Sequence, residues 1–179
     1  MPRLFVALDL PEVITAELMA IRPAVVPGLR SVYVEQMHLT LHFLGEAEVD
    51  PVAKALTEVA GDSFSLSIAG VGRFPPRGRA SVLWAGVTGS AALSRLHTDI
   101  GRVLQAGGWP VETRPYHPHI TLARCGFRVP PDVVNEFLSR HAKFALPEIR
   151  ITGFGLYSSA NVDGAQVYRR EHWIALKDG

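Results

Sequence analysis

Two short stretches of the chain carry the same pattern of residues. Residues 37–41 read Met-His-Leu-Thr-Leu and residues 118–122 read Pro-His-Ile-Thr-Leu, so the motif His-x-Thr-Leu occurs twice. A single copy would be weak evidence for a site, because a histidine on a half-buried strand is usually a packing residue. The recurrence makes His38 and His119 candidates for one shared site.

An interval of about 80 residues separates the two motifs and also three further pairs of positions with matching residue types. These pairs are Ile14 and Leu93, Pro51 and Pro131, and Phe64 and Phe144. The regular interval predicts a duplicated unit within a single domain, residues 1–179, with two lobes at roughly 1–80 and 81–179. Two such lobes would place equivalent strands on either side of a cleft, where a shared site would lie.

Hydrophobic periodicity predicts strands and helices in both halves, and hence an α+β fold. Short apolar or alternating runs predict strands at residues 4–8, 38–43, 64–68, 82–87, 119–124, 149–157 and 166–176. Apolar residues three or four positions apart predict helices that begin near Pro11, Pro51, Ser90 and Pro131. The last strand has no counterpart in the first half, and we expect it to close a sheet. Whether this strand crosses from one sheet to the other is left open.

On a strand, the motif would arrange its side chains in a defined way. Residues i and i+2 point to the same face, about 6.6 Å apart, so each copy presents one imidazole and one hydroxyl together. Two imidazoles beside one phosphorus atom can act as general acid and general base, because free imidazole titrates near pH ~6.5. The hydroxyls of Thr40 and Thr121 can hydrogen-bond the non-bridging oxygens. This chemistry requires no metal ion.

Composition narrows the class of protein. The net charge of +1 excludes a large basic field for long nucleic acids, although fifteen of the eighteen basic residues are arginine. That bias has two open interpretations: phosphate recognition by guanidinium groups, or the codon usage of a GC-rich genome. The single cysteine, Cys125, excludes an intrachain disulfide, and no apolar run approaches the roughly 18 residues of a membrane span. We expect a cytoplasmic monomer with no membrane partner.

Residues 3–7, 38–45, 70–75, 82–84 and 118–124 together resemble the two-histidine (2H) phosphoesterase superfamily. Within it, the chain is most similar to the bacterial and archaeal RNA 2',3'-cyclic phosphodiesterases once called 2'-5' RNA ligases. The resemblance implies a bilobal, pseudo-symmetric α+β fold, in which two antiparallel sheets line a central cleft and helices lie outside. It also implies hydrolysis of a 2',3'-cyclic phosphate, on RNA ends or nucleotides, to a 2'-phosphate without metal or cofactor.

The resemblance also assigns roles to residues. His38 would be the general acid toward the departing 3' oxygen and His119 the general base toward water, although pseudo-symmetry lets these roles exchange. Thr40 and Thr121 would hold the phosphate.

Two further positions, Arg124 and Phe43, each follow a motif histidine by five residues. The resemblance makes Arg124 a phosphate ligand and Phe43 part of the base pocket. An odd offset points away from the motif face on a regular strand, so Arg124 can serve only if the strand ends, twists or bulges first.

Other candidates have competing interpretations. His42 and His117 share the strand parity of the motif histidines, which makes a four-histidine zinc site conceivable, but no carboxylate or thiolate completes a usual ligand set. Cys125 is either a nucleophile or a packing residue. Arg73, Arg77 and Arg79 form either a guide for an RNA tail or a solvated loop. Trp84 and Phe74 would stack a base or pack in the core, and Tyr157 and Arg169 are further cleft candidates.

The sequence leaves three alternative functions open. The same site could hydrolyse small cyclic nucleotides, or it could run the reverse reaction as a 2'-5' RNA ligase. A binding module for RNA ends would use the same cleft without turnover.

Overall fold

The computed structural model describes residues 1–178. Its strands are β1 (Arg3–Leu8), β2 (Leu29–Ser31), β3 (Leu39–Glu46), β4 (Phe64–Leu66), β5 (Ile68–Phe74), β6 (Val82–Val87), β7 (His119–Cys125), β8 (Ile149–Ile151), β9 (Gly153–Val162) and β10 (Ala165–Ala175). The helices of this described part are α1 (Glu12–Ala20), α2 (Val49–Leu56), α3 (Ala91–Ala106) and α4 (Pro131–Arg140), with a 3-10 turn at Val34–Gln36. None of these helices is both long and apolar enough to cross a membrane.

Two four-stranded antiparallel sheets form the framework. The first sheet has the order β10-β9-β1-β3, the second sheet has the order β2-β7-β6-β5, and β4 pairs separately with β8. The α+β class with antiparallel sheets is therefore confirmed. Each sheet combines two strands from each half of the chain, so the sheets do not coincide with the halves 1–80 and 81–179. The first sheet joins β1 and β3 to β9 and β10, and the second sheet joins β2 and β5 to β6 and β7. The last strand, β10, pairs with β9 at the edge of the first sheet.

The helices add apolar faces to one continuous core. Ser90 caps α3, since its side-chain oxygen accepts a hydrogen bond from the Leu93 N–H at 3.1 Å. The buried residues of α3 recur every three or four positions: Leu93, Leu96, Ile100 and Leu104. This spacing is the one that the sequence predicts for a helix with one buried face.

Some element boundaries differ from the sequence prediction. Helix α1 ends at Ala20 and Val25 is 94% exposed, because Pro23 disfavours helical backbone in the residue before it. Helix α2 starts at Val49, so Pro51 lies within its first turn rather than at its first position. The predicted strand 149–157 is two strands separated by Thr152.

Candidate active site

The first copy of the motif enters β3, and this strand contains a β-bulge. In the pairing of β3 with β1, Thr40 lies opposite Ala7 and His42 lies opposite Val6. One step along β1 thus corresponds to two steps along β3, which makes Leu41 the extra residue. Such a bulge breaks the simple alternation of faces, so residues beyond it lie on the opposite face from the one that strand parity predicts.

The second copy, on β7, has a bulge at the same place in the motif. Thr121 lies opposite Trp84 and Ala123 lies opposite Leu83, so Leu122 is the extra residue. The structural irregularity therefore recurs with the motif, and the local conformation as well as the residue pattern is shared by the two strands.

The bulges bring Phe43 and Arg124 to the faces that carry the motif side chains. Phe43 is 62% exposed and Arg124 is exposed, whereas the residues directly before them, His42 and Ala123, are buried. Arg30 of β2 lies opposite Arg124 in the register of the second sheet. The parity objection to Arg124 is thus resolved by a bulge, one of the three ways that the sequence analysis allowed.

The same geometry puts His42 on the opposite face from the one that its strand parity with His38 indicates. His42 is 4% exposed and points away from the motif face, where its Nε2 donates a hydrogen bond to the carbonyl of His97 on α3 at 2.7 Å. The two rings stack with their centroids 4.1 Å apart. Across residues 1–178, no group of three or more His, Cys, Asp or Glu side chains is placed to hold a metal ion.

Aromatic side chains of the first sheet surround His38. Its ring stacks on Phe5 at a centroid distance of 4.9 Å, lies parallel to Tyr157 at 6.2 Å and meets Tyr168 edge-on at 5.2 Å. Burial lowers the pKa of His38 to about 4, although a backbone hydrogen bond to Gln36 acts in the opposite direction. The imidazole is therefore neutral in the free protein at pH 7.

His119 has a matching environment in the second sheet. Its ring meets Phe74 edge-on at 4.8 Å, and Trp84 lies 6.3 Å away. Its Nδ1 donates to the carbonyl of His117 at 2.7 Å, and because a carbonyl oxygen only accepts, Nε2 keeps a free lone pair. Burial lowers the pKa of His119; the bond to His117 opposes this effect, and the charges of His117 and Arg124 add to it.

A hydrogen bond joins the first motif copy to the segment just before the second copy. Tyr116, three residues before His119, donates its hydroxyl to the carbonyl of Thr40 at 2.8 Å. Its ring stacks on His97 at 3.8 Å, and His97 in turn stacks on His42, so three rings form a column behind β3. The two copies of the motif are therefore close neighbours in space, as a shared site requires.

The structure also places the remaining candidate residues from the sequence. His117 and Trp84 lie beside His119, since their rings are 5.0 Å from each other and His117 is 6.1 Å from His119. Cys125 is buried, and burial raises the pKa of its thiol, which disfavours the thiolate that a nucleophile needs. Arg73 lies near the end of β5 and binds the loop that follows, where it donates to the carbonyls of Pro75 and Gly78.

Sequence reasoning missed three aromatic residues of the site: Phe5, Tyr168 and Tyr116. Phe5 lies opposite both Phe43 and Tyr157 in the first sheet, and this register depends on the pairing of β1 with two distant strands. Of the three, only Tyr116 had a signal in the sequence, namely its position just before the second motif. The strand that follows brings this position close to the site.

Comparison with known proteins identifies the family. Residues 10–170 match the family model of the 2'-5' RNA ligase superfamily. The chain belongs to this superfamily. The match covers both motif copies and every strand of the second sheet.

Individual relatives agree with this membership. The chain is 32% identical over 166 residues to the RNA 2',3'-cyclic phosphodiesterase of Escherichia coli, covering 84% of this chain and 92% of the relative. It is 34% identical over 128 residues to the protein of the same name from Geobacillus stearothermophilus, covering 66% of this chain but only 40% of that relative. The crystal structure of Escherichia coli LigT complexed with 3'-AMP is similar with a TM-score of 0.78 and 26% identity, over 98% of both chains.

Proposed function

We propose that this protein hydrolyses the 2',3'-cyclic phosphate at RNA ends to a 2'-phosphate, with His38 and His119 as the acid–base pair and no metal ion. The observation that carries the proposal is the duplicated, bulged His-x-Thr-Leu strand, whose first copy is hydrogen-bonded at Thr40 to Tyr116, just before the second copy. The names of the relatives from Escherichia coli and Geobacillus stearothermophilus support the same reaction.

The proton transfers follow from the state of each ring. The free Nε2 lone pair of His119 accepts a proton from water as the water oxygen bonds to phosphorus. Protonated His38 donates its proton to the 3' oxygen as the bond from phosphorus to that oxygen breaks, and the phosphate stays on the 2' oxygen. The low pKa of free His38 suits this role only with substrate present, because a bound phosphate anion raises the pKa of an adjacent imidazole.

The neighbouring groups stabilise the charge that develops on the phosphoryl oxygens. Thr40 and Thr121 lie two residues after the histidines and supply hydroxyl donors. Arg124 supplies a permanent positive charge, which the bulge in β7 turns to the motif face. Phe43, at the equivalent place on β3, supplies an exposed ring on which a base can stack.

The direct test is the identity of the product. A cyclic-phosphate-ended oligoribonucleotide is incubated with the protein in excess chelator and followed by phosphorus NMR. We expect conversion to a 2'-phosphate at a rate that the chelator does not change. A 3'-phosphate would contradict the direction of ring opening, loss of activity in chelator would contradict metal independence, and an unchanged oligonucleotide that still binds would favour a binding module.

A further inference from the structure

Acidic residues are unevenly distributed along the chain. The stretches 18–34, 63–98 and 113–131 contain no Asp or Glu, although the chain has 17 acidic residues. All four strands of the second sheet, β2, β5, β6 and β7, lie within these stretches. The second sheet and its neighbouring loops therefore contribute positive charge and no negative charge, even though the whole protein is close to neutral.

The three acid-free stretches meet at the end of β7 that lies away from His119. The Cys125 N–H donates to the carbonyl of Ser81 at 2.8 Å, and the Gly126 N–H donates to the carbonyl of Gly28 at 2.8 Å. These two bonds hold the loop before β6, the start of β2 and the segment after β7 together. Their exposed side chains consequently form one surface.

We call this surface the arginine edge and define it by Arg30, Arg79, Phe127 and Arg128. All three arginines are exposed, and Phe127 is 87% exposed. The guanidinium of Arg79 lies over one face of the Phe127 ring, 3.7 Å from its centroid, which orients the ring and leaves its other face open. Arg30 is also the cross-strand neighbour of Arg124, so the edge continues into the candidate active site.

On β10, in the first sheet, both arginines have acidic neighbours. Arg170 pairs with Asp9 at 3.0 Å, and Arg169 lies 3.7 Å from Glu171. Within the described residues 1–178, no salt bridge involves an arginine of the arginine edge. Exposed, unneutralised guanidinium groups beside an open aromatic face are the combination that binds single-stranded nucleic acid, by contacts to phosphates and by base stacking.

We infer that the arginine edge binds the single-stranded RNA that precedes the cyclic phosphate, and this inference rests on the proposed function. Phosphates contact Arg30, Arg79 and Arg128, and a base stacks on the open face of Phe127. Arg30 lies beside Arg124 near the candidate active site. Phe127 and Arg128 instead lie beyond the last residue of β7, which is about 20 Å along the strand from its first residue. That end of the edge is several nucleotides from the reacting phosphorus. A mononucleotide in the candidate active site does not reach it, which makes the preferred substrate an RNA end.

The test compares a hexanucleotide ending in a 2',3'-cyclic phosphate with a nucleoside 2',3'-cyclic phosphate. We expect Phe127→Ala, and separately the pair Arg79→Ala with Arg128→Ala, to lower kcat/KM for the hexanucleotide about tenfold while the mononucleotide value stays unchanged. Each lost phosphate contact should also reduce the slope of log(kcat/KM) against log[salt] by about 0.7. The matched control is Arg102→Ala, which removes an exposed charge from α3, where Arg102 pairs with Asp99.

Binding of a hexanucleotide with an ordinary 3'-hydroxyl, followed by fluorescence anisotropy, separates the inference from the proposed function. Weaker binding by the edge variants than by Arg102→Ala supports the arginine edge even if no substrate is turned over. Equal binding by all variants, or equal losses of turnover for hexanucleotide and mononucleotide, would overturn it. Absence of turnover with both substrates would instead reject the proposed function.

Discussion

Strands β3 and β7 share a motif, a bulge and a mode of holding the histidine, yet their surroundings differ. Each histidine ring is hydrogen-bonded to the backbone of the residue two positions earlier, Gln36 for His38 and His117 for His119. The second residue after the extra residue of the bulge differs: it is Phe43 on β3 and Arg124 on β7.

The comparison shows which parts of a duplicated site are free to diverge. In the proposed reaction, acid and base need the same geometry on both sides of a phosphorus atom, which accounts for the motif and the bulge being the same on the two strands. The substrate is asymmetric, since a nucleotide has a base on one side and a charged chain on the other. A first sheet with aromatic residues around His38 and a second sheet without acidic residues match that asymmetry.

Removing either motif histidine should have the largest effect. We expect His38→Ala and His119→Ala each to lower kcat by about 10²–10⁴, and the double variant to lose little more, because acid and base act in one step. Steady-state turnover of a nucleoside 2',3'-cyclic phosphate measures this. His141→Ala, on the segment after α4, is the control, and wild-type turnover by either single variant would reject the pairing.

Substitutions of Arg124 and Phe43, which follow the bulges, should have smaller effects on catalysis, and the two effects should differ. Arg124→Ala removes a charged phosphate contact and should lower kcat/KM about tenfold to a hundredfold, with part of the activity restored by Arg124→Lys. Phe43→Ala should mainly raise KM, because a stacked base contributes to binding rather than to proton transfer. Kinetic constants for both variants test this, and equal kcat losses would show that the two strands are not specialised.

Sequence reasoning predicted the parts of this site that depend on local pattern. The recurrence of His-x-Thr-Leu, the strands 82–87 and 119–124 and the cap at Ser90 are visible in neighbouring residues. The bulges at Leu41 and Leu122 are not, because a bulge exists only relative to a partner strand far away in the chain. Strand parity therefore indicated the wrong face for His42, and of the mixing of chain halves in the sheets only a crossing by the last strand was considered.

The hydroxyl of Tyr116 offers a finer test of how the two strands are held together. Tyr116→Phe keeps the ring stacked on His97 and removes only the hydrogen bond to the Thr40 carbonyl, so unfolding should become easier by about 1 kcal/mol. We also expect kcat to fall by several-fold with KM little changed, because Thr40 shifts relative to His119. Urea unfolding and steady-state kinetics measure the two effects, and an unchanged kcat would limit Tyr116 to a purely structural role.

The pH profile of catalysis compares the two histidines without mutation. Burial holds the pKa of both His38 and His119 below the ordinary value of ~6.5. The reactive form, in which the two rings share one proton, exists at pH values between these two pKa values. The profile of kcat/KM should therefore be bell-shaped with its maximum below pH 6.5. A maximum above pH 7 would show that the two imidazole rings are less buried in the free protein than the structure indicates.

The ring column behind β3 should make the protein less stable in acid, by a modest amount. Burial and the nearby His42 lower the pKa of His97 to about 4, and burial lowers that of His42. The unfolded chain titrates near pH 6.5, so between pH ~6.5 and ~4 it binds more protons than the folded chain, and the free energy of unfolding falls as the pH falls. His97→Phe keeps a stacked ring without a proton site and should flatten this decline by at most about 1.4 kcal/mol per pH unit, measured by urea unfolding at several pH values. The exposed His172, changed to Gln, is the control, and an equally steep decline in His97→Phe would place the acid sensitivity in other groups.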